Sequence, residues 1–207
     1  MKYKNIVFDL DGTLIDNEYA ILCSFCSALI KSGIAIEEEN LDFILGIPGE
    51  VALKQMNIQN VSEVFNLWSK ELHESSIPSQ LFEGIDELLA ELREKGYQLG
   101  VVTSKTSDVF EAEEPKYKID QYFGQLVFAD MTEKHKPNAD PLEKYMELTG
   151  AKAKDILYVG DSVYDMKCAE NAKVDFALVH WGSPRKQPMS GYYNLETPNQ
   201  LLKILKG

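Results

Sequence analysis

Positive charge is scarce in this chain. Its 207 residues carry 21 Lys and Arg against 33 Asp and Glu, a formal net charge of −12. No basic run or cationic stripe interrupts the acidity, which counts against nucleic acid and anionic membrane surfaces as partners. Arginine is limited to Arg93 and Arg185. No apolar run approaches the roughly 20 residues that a bilayer span needs, and the apolar stretch behind Lys2 is too short for the core of a secretory leader. A cytoplasmic location is expected, with the chain as a monomer or a homodimer. Cysteine is equally sparse: Cys23, Cys26 and Cys168 cannot all pair, and the lone Cys-x-x-Cys has no second pair to complete a zinc site. All three are expected as reduced core residues, with a redox pair at Cys23 and Cys26 as the alternative.

Apolar material is plentiful. At 44% hydrophobic residues the chain can build a sizeable core as one domain with, at most, a modest insertion. From residue 84 onward, short apolar runs alternate with amphipathic stretches, the pattern of βα repeats and a parallel sheet in an α/β fold. Strands are predicted at 5–9, Gln98–Thr103, Leu126–Ala129, Ile156–Gly160 and Phe176–His180, and helices near 84–95, 107–114, 140–149 and 163–172. Ile85, Leu88, Leu89 and Leu92 recur at helical spacing before Gly96. Asp140-Pro141 supplies a cap followed by a first-turn proline, and Pro115 is expected to end the 107–114 helix early. Residues 16 to about 82 carry no strand pattern. They predict about four helices broken at Gly33, Gly46-Ile47-Pro48 and Asn57–Asn60, packed through the stripes Leu22, Cys26, Leu29, Ile30 and Val61, Val64, Phe65, Trp68, Leu72. Such a unit, inserted by linkers at Ile15–Glu18 and Pro78–Gly84, can act as a lid.

The densest chemistry lies near the N-terminus, where Ile6-Val7-Phe8 delivers Asp9-Leu10-Asp11-Gly12-Thr13. A buried strand ending there places two carboxylates at the edge of a parallel sheet that faces ligands. Together they can share one divalent cation and divide nucleophile and acid–base roles; the alternative is an Asx-type turn with Thr13 capping a helix. Three further signals fall at the same edge. Thr103-Ser104-Lys105 follows a strand and offers a hydroxyl and amides to phosphate oxygens, or else a helix cap. Lys136-Pro137 lies in a loop; its lysine, like Lys134, is unremarkable alone, yet an acidic protein that takes an anionic substrate needs local positive charge. Gly160-Asp161-Ser162-Val163-Tyr164-Asp165 ends a strand with a carboxylate and repeats one a helical turn later, so that both can face one place.

In that order, the motifs resemble those of the haloacid dehalogenase-like hydrolase superfamily, in the subgroup with a helical cap after the first strand, similar to phosphoglycolate phosphatases and β-phosphoglucomutases. Phe82-Glu83-Gly84, Gln121-Tyr122-Phe123, Val179-His180-Trp181-Gly182 and Thr197-Pro198 also sit where that subgroup has similar segments. The resemblance implies a Rossmann-like parallel sheet of order 5-4-1-2-3, with a core of residues 1–15 and 83–207 and an α-helical cap domain at 16–82. It implies a Mg2+-dependent phosphatase acting on a small phosphorylated metabolite. Asp9 would attack phosphorus, and Asp9, the Asp11 carbonyl and Asp161 would hold Mg2+. Asp11 would protonate the leaving alcohol and then deprotonate water, while Thr103, Ser104 and Lys136 bind the phosphoryl group and Asp165 assists the metal site or orients Lys136. A sugar phosphomutase is the alternative enzyme, and a phospho-acceptor signalling switch the alternative outside enzymes. Two departures stand out. Lys173 occupies a place where the subgroup commonly has glycine, with Asn171 as a candidate cap instead. Neither arginine lies in the cap, which disfavours phosphoglycolate or shifts recognition to Lys54 or backbone amides. Gly46-Ile47-Pro48-Gly49-Glu50 is the candidate specificity loop, although Glu50 also suits an ordinary helix start.

Overall fold

The computed structural model describes residues 2–35, 41–182 and 193–206. Its centre is β1 (Asn5–Phe8), wholly buried and flanked in parallel by β4 (Gln98–Val102) and β6 (Ile156–Gly160), with Val7 level with both Gly100 and Tyr158. A strand covered on both faces must be apolar throughout, and Ile6, Val7 and Phe8 satisfy that demand. Outward lie β5 (Gln125–Val127) on one side and β7 (Asp175–Val179) on the other, followed by β8 (Tyr193–Leu195), in the order β5-β4-β1-β6-β7-β8. The exact order thus differs from the expected five-stranded one by an added edge strand. Three residues are too few to show a two-residue period, so β8 left no mark in the sequence pattern.

Helices α4 (Ile85–Glu94), α5 (Ser107–Tyr117), α6 (Asp140–Thr149), α7 (Val163–Ala172) and α8 (Pro198–Ile204) accompany the sheet. Ile85, Leu88, Leu89 and Leu92 are buried as their spacing predicts. Pro115 does not end α5; it sits in the last turn, where one backbone bond is lost, and Lys118 at φ 56° follows the helix end. Asp140 is itself the first helical residue of α6 and makes no side-chain cap. At the end of α7, Lys173 adopts the left-handed conformation expected of a glycine, and its amide closes the helix on Glu170. Asn171, proposed as the cap, instead donates to the Pro137 carbonyl at 2.8 Å.

Residues 16–82 contribute α1 (Glu18–Lys31), α2 (Gly49–Gln55) and α3 (Val61–His73), with a short 3-10 turn at Asp42–Ile44. The second of the four expected helices falls partly on 36–40, outside the described residues. Phe25, Ala28, Leu29, Ala52, Leu53, Val64 and Trp68 form a separate apolar cluster here. On α1 the buried face is rotated from prediction: Ile21 and Phe25 face inward, whereas Ile30 is 67% exposed and Cys23 and Cys26 are only half-buried. Apolar residues surround much of that helix, so periodicity alone misjudges its face. Cys168, by contrast, is fully buried. Both linkers pair with each other, Ile15–Asp16 (β2) running antiparallel to Gln80–Leu81 (β3). Among the described residues no helix is long and apolar enough to cross a membrane.

The ring of Tyr145 on α6 packs against Gly100 of β4, where an added Cβ would meet it at 2.2 Å. Gly100→Ala should therefore destabilise the protein by about 1–3 kcal/mol. A lowered melting temperature and urea midpoint at unchanged m-value would report it; an unchanged midpoint would show that the ring has room to move.

Candidate active site

The site begins where β1 stops. Asp9 extends the ladder by donating its amide to the Val159 carbonyl at 2.9 Å, and Gly12 then turns the chain back at φ 73°. A side chain at Gly12 is excluded twice over, because its Cβ would lie 2.8 Å from Asp161 Oδ2 and 2.8 Å from Glu18 Oε1. Thr13 caps no helix: its hydroxyl donates to Asp161 Oδ1 at 2.8 Å, and its carbonyl accepts from the Trp181 indole at 2.8 Å. On the neighbouring strand, β6 delivers Asp161. One turn into α7, Asp165 accepts from the Ser162 hydroxyl at 2.6 Å and its amide at 3.0 Å, while the Asp165 amide returns a bond to that hydroxyl. This capping box fixes the carboxylate as well as the helix.

Lys136 joins the two halves. Its side chain is 0% exposed and its ammonium donates to Asp9 Oδ1 and to Asp165 Oδ1 at 2.7 Å each. Tyr158 donates to the same Asp165 oxygen at 2.8 Å. Burial works against the charge on Lys136, but Asp165 and Asp9 outweigh it and hold the ammonium protonated. Burial also works against Asp165, which Lys136, Ser162 and Tyr158 nevertheless keep ionised, below the usual carboxylate range. Asp9 has fewer donors, so burial, with the charges of Asp165, Asp161 and Asp11 behind it, raises its pKa well above the ordinary value despite Lys136.

Oxygen atoms of Asp9, Asp161 and Asp165 all lie within 4.8 Å of one another. Buried carboxylate oxygens that outnumber the single lysine among them make a hard, anionic donor set, which fits a divalent cation of the Mg2+ type. The Asp11 carboxylate stands outside this trio. Lys105 approaches its Oδ1 at 3.0 Å and the Asn17 amide donates to the same atom at 2.5 Å. Lys105 is almost fully buried and also bonds Glu113 of α5.

Thr103 prolongs β4 through its amide, 3.1 Å from the Val127 carbonyl; it is buried, its hydroxyl accepts from the Lys105 amide at 3.2 Å, and it does not line the cavity described next. The Ser104 hydroxyl donates to the Gly46 carbonyl of the helical unit at 2.9 Å. Between that unit and the sheet edge lies a cavity of about 350 Å3 whose wall includes Asp11, Ser104, Lys105 and Asp161 together with Gly46, Pro48, Gly49 and Glu50 of the expected specificity loop and Val51 and Lys54 of α2. Asp9, Asp161, Asp165 and Lys136 are thus brought together, Asp11 and Ser104 face the cavity, and Lys134 is not among these contacts. Sequence reasoning named Thr13 and Lys105 within their motifs without these contacts, and missed Asn17 and Tyr158. Lys105 carried the one usable signal, two positions after Thr103 on the strand end.

Against known proteins, the model of the haloacid dehalogenase-like hydrolases matches residues 6–179. A Bacillus mycoides protein named pyrophosphatase PpaX is 32% identical over 213 residues, covering 99% of this chain and 98% of that one. A protein of Caldanaerobacter subterraneus subsp. tengcongensis, provisionally named pyrophosphatase PpaX, is 33% identical over 215 residues, 100% of this chain and 96% of its own length. Among solved structures, a Lactobacillus plantarum protein provisionally named a phosphoglycolate phosphatase superposes with a TM-score of 0.86 at 25% identity, covering 99% of this chain and 100% of that one. With its motifs, sheet and carboxyl-edge cluster all agreeing, the chain belongs to the haloacid dehalogenase-like hydrolases.

Proposed function

We propose that the chain is a Mg2+-dependent phosphatase that cleaves a small phosphorylated substrate through an aspartyl-phosphate on Asp9. The observation that carries this reading is the buried Asp9 carboxylate, held 2.7 Å from Lys136 at the end of the central strand. Asp9, Asp161 and the Asp11 carbonyl would hold the Mg2+ ion, whose charge neutralises the phosphoryl oxygens. An Asp9 oxygen bonds to phosphorus as the phosphorus–oxygen bond to the leaving group breaks. The leaving oxygen takes its proton from Asp11. Water then attacks the same phosphorus, Asp11 accepts its proton, and phosphate departs with Asp9 restored.

In this reading Lys136 orients Asp9 and, with Thr103 and Ser104, binds the phosphoryl oxygens, while Asp165 keeps Lys136 charged and aimed. Lys105 and Asn17 both donate to Asp11 Oδ1, which directs any proton on Asp11 to its other oxygen. Residues 16–82 serve as a cap over the core of 1–15 and 83–207, hinged at the paired strands β2 and β3. The reducing cytoplasm, where the three cysteines stay out of disulfides, is its compartment. The names of the relatives add inorganic pyrophosphate to the substrates that require testing.

Asp9→Asn should lower turnover at least about a thousandfold with the fold intact, measured as phosphate release with circular dichroism as control; wild-type turnover would eliminate the nucleophile. Asp11→Asn should slow an alkyl phosphate far more than p-nitrophenyl phosphate, whose leaving group needs no proton. Equal losses on the two substrates would remove Asp11 as the leaving-group acid. Chelation with EDTA should abolish phosphate release and added Mg2+ should restore it, whereas an activity indifferent to chelator would refute the metal requirement.

A further inference from the structure

The cavity has two chemically different ends. The core contributes Asp11, Ser104, Lys105 and Asp161 to its lining, and the helical unit contributes an apolar wall that includes Ile21, Ile44, Pro48, Val51, Phe65 and Trp68. Trp68 is nearly buried, fixed by its indole bond to the Ser24 hydroxyl at 3.0 Å and by edge contacts with Phe25 and Phe65. Trp68 is therefore a fixed part of that wall. Two lysines line the cavity, and both are paired: Lys105 with Asp11, and Lys54 with Glu50 at 3.2 Å. Five carboxylates line it, from Asp11, Glu18, Glu50, Asp130 and Asp161. Arg93 bonds the Gln121 carbonyl away from this wall, and no arginine lines the cavity among the described residues.

Among the described residues an anionic leaving group would meet more carboxylates than lysines in this cavity, and no arginine, and neither a second phosphate nor a carboxylate group brings apolar surface to bury against the wall. We propose that this cavity selects phosphate monoesters of uncharged alcohols with an apolar body, and discriminates against pyrophosphate and against phosphates whose leaving group carries a carboxylate. The inference rests on the phosphatase reading above and narrows its substrate class, away from the substrates that its relatives' names suggest.

The test is kcat/KM in Mg2+ for ethyl, n-propyl and n-butyl phosphate, 2-phosphoglycolate and pyrophosphate. Each methylene added along the alkyl series should raise kcat/KM two- to fourfold, the range up to full burial of that group. Ethyl phosphate should exceed the similarly sized 2-phosphoglycolate at least tenfold, and n-butyl phosphate should exceed pyrophosphate despite the better leaving group of the latter. Val51→Lys, which adds a cation to the wall, should narrow the gap between ethyl phosphate and 2-phosphoglycolate. A flat alkyl series, or a preference for either anionic compound, overturns the proposal. Binding keeps the two readings apart: the folded Asp9→Asn protein, titrated calorimetrically in Mg2+, should bind n-butyl phosphate at least tenfold tighter than pyrophosphate. If the wild-type chain releases phosphate from none of the five, the phosphatase reading falls and this binding order alone decides the cavity's preference; equal or reversed affinities overturn it.

Discussion

A fully buried ammonium shared by two buried carboxylates governs the architecture around it. Removing a lysine from water costs several kcal/mol even after relaxation, and that cost is offset only when counter-charges are held in place by the backbone rather than by flexible side chains. Lys136 meets this condition from two directions. Asp9 is fixed by the ladder bond that continues β1, and Asp165 by the capping box that starts α7. Every part then has a second duty: the helix start that Ser162 and Asp165 define also sets the position of the charge, and the loop bearing Lys136 is tied to α7 through the bond from Asn171 to Pro137. Removing the lysine would leave neighbouring anions in a dry site, so the cluster holds together as a unit.

The helical unit is attached to this charge cluster by few but specific contacts. The Ser104 hydroxyl reaches the Gly46 carbonyl and the Tyr164 hydroxyl reaches the Phe43 carbonyl at 3.2 Å. A Cβ at Gly46 would come within 2.8 Å of the Ser162 hydroxyl, so the segment can press this close only because position 46 lacks a side chain. The unit has its own apolar cluster around Phe25 and Trp68, to which, among the described residues, Tyr164 contributes from beyond residue 82. Polar bonds with limited apolar packing, as among the described residues, suit the cap motion proposed above better than a continuous apolar seam would.

The sequence made the central strands legible because burial on both faces demands an unbroken apolar run, and Ile6 to Phe8, Leu157 to Val159 and Phe176 to Val179 provide it. Asp9, Asp161 and Asp165 were recognisable as chemistry at strand and helix ends, and Lys136 only through its place in the order of motifs. Their meeting was not, since contacts spanning 127 and 29 residues follow from topology rather than from local pattern. Edge strand β8 and the β2–β3 pair were too short to show a period. The inward face of α1 was misjudged because Leu22, Cys26 and Ile30 offer as plausible a stripe as Ile21, Phe25 and Ala28, and only the packing of α3 chooses between them. Lys105 was hidden for a different reason: a lysine after a strand reads as a solvated side chain until Asp11 and Glu113 are seen to close around it.

An acidic chain and an anionic substrate are compatible because the two charges act over different ranges. The net −12 is spread over a surface where physiological salt screens interactions beyond about 8 Å. The ammonium of Lys136 stands 2.7 Å from its partners in a water-poor site where screening is weak. On the proposed reading the fold need not be basic to take up a phosphate, because a divalent cation held by the carboxylates beside Lys136 would supply the positive charge in one small region. Beyond that region the surrounding carboxylates regain influence, and the ligand atoms that reach there are favoured for carrying no charge. Phosphate capture and leaving-group selection thus follow from one charge distribution, resolved by distance from the end of β1.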